Sequence, residues 1–73
     1  MAASTKRDFL KIQIQGFKSG MAQAQAYFNP YRKGSASYRT WSDARNYAVE
    51  LYESGVHDNE IALILGNMEK KLA

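Results

Sequence analysis

Gly16 and Gly20 stand one helical turn apart inside a segment whose apolar residues recur at helical spacing, and Asn29-Pro30 closes that segment. Leu10, Ile14, Phe17, Met21, Ala24 and Phe28 follow one another at alternating intervals of four and three. That pattern predicts one long helix over 5–28 with a single apolar stripe. A glycine inside a helix costs about 1 kcal/mol against alanine. Two of them on the flank of the stripe therefore predict that another backbone or a bulky ring packs close to that flank, the alternative being a locally weakened helix. Pro30 cannot continue the helix, and the residue before a proline is biased away from helical geometry. The chain must turn there, which makes two helices folded against each other the simplest architecture.

The remaining segments complete that architecture. Thr5 with Asp8, and Thr40 with Asp43, have the spacing of N-terminal caps in which a side-chain oxygen serves free backbone N–H groups. Tyr31 to Ser37 reads as a loop, with Gly34, Ser35 and Ser37 as its mobile residues. Trp41, Ala44, Ala48 and Leu51, with Tyr52 and Tyr47 beside them, form the apolar face of a second helix over 40–54. Gly55 has the position of a C-terminal cap. Asp58 then caps a shorter third helix that carries Ile61, Ile64, Leu65 and Met68, with Gly66 as a candidate interruption. No segment alternates as a strand does. The sequence predicts an all-α fold, a small helical hairpin plus a short C-terminal third helix. It forms one domain over 1–73, with the hairpin at 5–54 and the extension at 56–73. Leu10, Ile14, Phe17, Met21, Trp41, Ala48 and Leu51 are the expected core, and Gly16 or Gly20 should touch the second helix.

Composition narrows the function. A chain of 73 residues without cysteine has neither disulfides nor thiolate metal sites to stabilise it, so helix packing or a partner must do so. No apolar run approaches the ~20 residues that span a bilayer, and the polar N-terminal segment has no signal-peptide core. The expectation is a soluble, cytoplasmic protein with no membrane contact. His57, the sole histidine, falls in an interhelix turn with no second ligand at metal spacing. The carboxylates are dispersed, no serine or threonine has a positioned base, and no phosphate-cradling glycine loop occurs. Neither catalysis nor a metal or other cofactor is expected.

Charge supplies the positive signal. The net charge is +3, but it divides into +6 through residue 45 and −3 from residue 46 onward. Such segregation implies one face turned to a polyanion and a more neutral rear. Arg7, Lys11 and Lys18 project within a narrow arc and are expected opposite the apolar stripe. Arg32, Lys33 and Arg39 are interleaved with Tyr31 and Tyr38 in the connector, close to Tyr27. Cationic and planar side chains together suit single-stranded or irregular RNA. Lys6, Arg7, Lys11, Lys18, Arg32, Lys33 and Arg39 are the candidate phosphate contacts. Tyr31 would stack on a base or fix the loop. The three tyrosines are placed either to stack or to seal a small core, whereas Phe9, Phe17, Phe28, Trp41, Tyr47 and Tyr52 read as core from their spacing.

The ordered set Gly16-Phe17-x-x-Gly20, Pro30-Tyr31, then Arg39 and Trp41 resembles bacterial ribosome modulation factor over roughly residues 5 to 53. The resemblance implies a very small basic protein of two helices and a linker. It would bind small-subunit rRNA near the mRNA exit platform, reduce translation and pair ribosomes into a hibernating form. In that family Gly16, Gly20, Pro30 and Trp41 would be structural. The chain departs from the family at Asn29, where cysteine is usual, and at Ala44-Arg45, where a glycine and a second tryptophan are expected. Its N-terminus is less densely basic, and the acidic segment from Val56 to Ala73 has no family counterpart. A divergent or phage-encoded relative fits these departures as well as an orthodox member does.

Two other readings stay open. Leu51 to Gly55, then Asn59 to Ala62 and Leu65-Gly66, resemble the first helix, turn and second helix of a DNA-binding helix-turn-helix. Only Asn67 to Ala73 follows, which is a poor recognition helix. A small protein-binding adaptor, or a homodimer formed through the apolar remainder of the helices, is the third. On the ribosome reading, the C-terminal segment packs its apolar residues on the hairpin or a second copy and turns its acids away from the RNA.

Overall fold

The computed structural model describes residues 6–22 and 28–73, and among them every regular element is a helix. Helix α1 spans Lys6–Met21, α2 spans Ala36–Glu53 and α3 spans Asp58–Leu72. The all-α expectation therefore holds, with boundaries that differ in instructive ways. The first helix does not reach Phe28: Ala22 is already a turn, and Phe28 is non-helical and 90% exposed. Thr5, Ala24 and Tyr27, to which a cap, a stripe position and a connector ring were assigned, lie outside the described residues.

The second helix begins a full turn before the expected Thr40. Ser35 is its N-cap, with an extended backbone at φ −82° and ψ 159°. The Ser35 hydroxyl accepts a hydrogen bond from the Tyr38 N–H at 3.0 Å, which satisfies one of the otherwise free donors of the first turn. Thr40 lies inside the helix and donates its Oγ1 to the Ala36 carbonyl. Serine and threonine both carry the capping oxygen, and Ser35 wins because the turn at Lys33-Gly34 ends beside it. Gly34 sits at φ +90°, a conformation open to glycine at little cost. At the other end Gly55, at φ +83°, stops α2 as expected. His57, exposed in the turn as read from the sequence, occupies the N-cap of α3 without a side-chain capping bond. Asp58 stands inside the first turn rather than at the cap, where it and Glu60 complement the positive end of the helix dipole. Gly66 does not interrupt α3, which runs through it to Leu72.

Helix α1 is the centre of the packing: it meets α2 over its largest interface and α3 over a smaller one, while α2 and α3 touch each other least. The glycine flank carries the first interface. A Cβ built on Gly16 would collide with the Trp41 carbonyl oxygen, and one on Gly20 would lie 2.5 Å from the Arg45 carbonyl oxygen and 2.7 Å from the Ala48 Cβ. Both glycines are buried, as are Trp41 and Ala48 opposite them. These contact points advance in the same sense along both helices, so α1 and α2 run in the same direction where they meet. Ile12, one turn before Gly16, is buried with them. It escaped the stripe because it belongs to the glycine side of the helix.

Phe17, Ala48 and Ile61, one from each helix, are the fully buried heart of the molecule. Met21, Leu51, Tyr52, Val56, Ile64, Leu65 and Met68 pack around them. Ile14 and Trp41 are buried as expected, whereas Leu10, Met21 and Leu51 are only half-buried. Tyr47 was expected in the core but is 48% exposed. Its ring leans on Phe17 with centroids 5.9 Å apart and planes tilted by 48°, so it caps the core from outside.

Candidate nucleic-acid interface

Arg7, Lys11 and Lys18 share one groove, as their common arc requires, but they flank the apolar stripe instead of opposing it. The buried Ile14 lies in the same groove, of about 550 Å³, together with Gln15 and with Glu69 and Leu72 of α3. At about 100° per residue these cations stand next to Ile14, and the side truly remote from the stripe belongs to α2. Lys18 Nζ lies 3.5 Å from Glu69 Oε2, both side chains being about half exposed (56% and 50%). An exposed pair of this kind is worth about 0–1 kcal/mol. Its geometry corrects one expectation: the acids of the third helix do not all turn away from the basic face. The antiparallel run of α3 along α1 brings Glu69 onto it.

The linker forms the second part of the candidate interface. Asn29 locks it to α2, its Nδ2 donating to the Tyr38 carbonyl at 2.9 Å and to Ser42 Oγ at 3.0 Å. The Oδ1 of Asn29 accepts from the Tyr31 N–H at 3.0 Å, closing an Asx turn around Pro30. Tyr31 then donates its hydroxyl to Gln15 Oε1 at 2.9 Å. Of the two roles weighed for Tyr31, this bond favours fixing the loop. It also joins the linker to the α1 groove, because Gln15 lines that groove. Beyond Tyr31, the Arg32 carbonyl accepts from both the N–H and the Oγ of Ser35, at 3.0 and 2.7 Å. This tight turn leaves Arg32 and Lys33 exposed at its apex.

A third, smaller hollow of about 350 Å³ lies at the start of α2, lined by Lys33, Tyr38, Arg39 and Asp43 among others. Tyr38 is half-buried and belongs to the first turn of the helix instead of the loop. Pro30 is exposed, and Trp41 sits in the second turn of α2, buried under the glycine flank. Lys6 is exposed at the start of α1, apart from the groove lining. The structure thus gathers Arg7, Lys11 and Lys18, gathers Lys33 and Arg39 separately, and links the two sets through Tyr31 and Gln15.

Two residues of this region carry more than their sequence context suggested. In the sequence Asn29 reads as the residue before a proline and as a departure from the cysteine usual in the resembled family. The signal for its clasp was present, since asparagine leading a Pro-containing turn is a common Asx arrangement. Phe28 was absorbed into a helical stripe that ends before reaching it. Among the described residues no group of three His, Cys, Asp or Glu side chains is placed to hold a metal ion, and no helix is long and apolar enough to cross a membrane. Comparison with protein-family models, with curated proteins and with solved structures returns no match for this chain.

Proposed function

We propose that this protein binds the small ribosomal subunit through rRNA and reduces translation, in the manner implied by its resemblance to ribosome modulation factor. The observation that carries the reading is the disposition of its cations. Lys6, Arg7, Lys11, Lys18, Arg32, Lys33 and Arg39 are all exposed on α1, the linker and the start of α2. No acid occurs between Asp8 and Asp43. Among the described residues Lys18 alone of this set is met by an acid in an ion pair. A surface of this kind attracts a phosphate backbone at long range and holds it at short range.

The glycine seam supports the same reading, because the residues that carry the resemblance have joint structural work: Gly16 and Gly20 admit the backbone of α2 at Trp41 and Arg45. The helix-turn-helix alternative needs a separate recognition helix after Gly66, and α3 continues unbroken through that residue. On the ribosome reading the protein acts in the cytoplasm. Sedimentation of a cell lysate through a sucrose gradient at low salt is the decisive test. Co-migration with small subunits or paired ribosomes is expected, and absence from every ribosomal fraction overturns the reading. Replacing a cation that contacts a phosphate should also flatten the salt dependence of binding, by about 0.7 units of log–log slope on single strands and about 0.9 on duplex-like RNA.

A further inference from the structure

We infer that Phe28 is a base-stacking residue of the interface, presented to an unpaired RNA base by the Asn29 clasp; the inference rests on the RNA-binding reading above. A phenylalanine 90% exposed is the largest departure from apolar burial in the described chain. Most surface phenylalanines sit against something, since burying such a ring is a principal source of folding free energy. Here the residue that follows it is anchored through its side chain. Asn29, directly after it, is held by three hydrogen bonds to Tyr38, Ser42 and Tyr31. Phe28 is therefore exposed next to an anchored residue, and part of the ordering cost of binding has already been met in folding.

The surroundings select the partner. Arg32, Lys33 and Arg39 follow Phe28 within the same acid-free stretch, and all three are exposed. An apolar protein groove would be a poor match for a ring followed in the chain by three exposed cations and no acid. A single strand of RNA offers both requirements, a π-face for the ring and phosphates for the cations. Tyr31 is the less suitable stacker, because its hydroxyl is bonded to Gln15 and its ring is half-buried. Phe28 is thus left to read the base plane while the cations hold the backbone.

The test uses the full chain with purified small ribosomal subunits and, separately, with deproteinised small-subunit rRNA. Phe28→Ala should weaken binding to both by about ten- to a hundredfold, the range that loss of one base–aromatic stack corresponds to. The salt slope should stay that of the unaltered protein, because no phosphate contact is lost. Phe28→Trp should restore affinity and show fluorescence quenching on binding, whereas Phe28→Leu should remain weak. Unchanged melting temperatures across the series would show that each variant is folded. Equal affinity of Phe28→Ala and the unaltered protein overturns the inference and leaves the RNA reading standing. So does restoration by leucine, which would indicate an apolar protein pocket. Failure of the unaltered protein to bind either probe at low salt removes the RNA reading and this inference with it.

Discussion

The two interfaces of α1 are built on opposite principles. Against α2 the helix brings backbone to backbone: Gly16 and Gly20 leave no room for even a methyl group before the Trp41 and Arg45 carbonyls. Against α3 it uses side chains, with Ile61 fully buried beside Phe17 and the Lys18–Glu69 pair at the edge. A side-chain interface can repack when one residue changes, because rotamers shift and neighbours relax. A backbone interface has no such reserve. The α1–α2 seam therefore sets the geometry of the molecule, and α3 closes an apolar face left by that seam.

The largest effect should come from filling the seam. Gly16→Ala with Gly20→Ala forces two backbones apart, each overpacking costing about 1–3 kcal/mol against a helix-propensity gain of up to about 1. Because the nearest obstruction at both sites is a backbone carbonyl, which cannot swing aside, the upper end of the range applies, about 3 less 1 at each site. The net loss of about 4 kcal/mol is comparable with the roughly 4–11 kcal/mol that a chain of this length has in total. Thermal denaturation followed by circular dichroism should show a melting point lowered by well over ten degrees; an unchanged curve would mean that the seam can yield after all. Next comes Ile61→Ala, which empties the side-chain interface at a cost of about 2–4 kcal/mol. Hydrogen exchange should then accelerate in α3 well before it does in α1 and α2. Equal loss of protection in all three helices would mean that α3 is part of the same unit as the seam.

The same glycine-to-alanine substitution should have the opposite sign in α3. A Cβ on Gly66, in the interior of α3, would meet nothing within 4 Å. Gly66→Ala should stabilise the protein by about 0.5–1 kcal/mol, through propensity alone. A loss of stability on chemical denaturation would show that α3 approaches something at that point after all. The smallest effect belongs to Glu69→Gln, which should cost no more than a few tenths of a kcal/mol, an exposed pair being screened by solvent. Even that difference should vanish in 1 M salt, and a salt-independent loss would assign Glu69 a structural part in docking α3.

Much of this was legible in the residues, and the gaps have physical causes. The glycine pair announced a close approach, because repeated glycine in a helix needs a reason, and the structure supplies the Trp41 backbone as that reason. The first helix is shorter than its stripe predicts, because Ala24 and Phe28 continue the apolar period and periodicity alone does not register where a helix stops. Thr40-x-x-Asp43 is as good a local capping signal as any, yet Ser35 prevails through its bonds to the Arg32 carbonyl and the Tyr38 N–H. In the candidate interface the residue types and the arc of Arg7, Lys11 and Lys18 were readable. The approach of Glu69 was not, because it depends on which helix α3 chooses to lie against. Nothing local to Asp58–Leu72 encodes that choice, since Ile61, Ile64 and Met68 would serve either neighbour equally well.

The backbone character of the α1–α2 seam has an evolutionary corollary. What it demands of descent is two vacancies, at Gly16 and Gly20, and a carbonyl row opposite them that any amino acid can supply. Apart from the small Ala48 and the buried Trp41, the identities facing those vacancies can drift without moving either helix. Kinship in such a protein is inherited as spacing, and two lineages can keep one geometry long after their letters have ceased to agree.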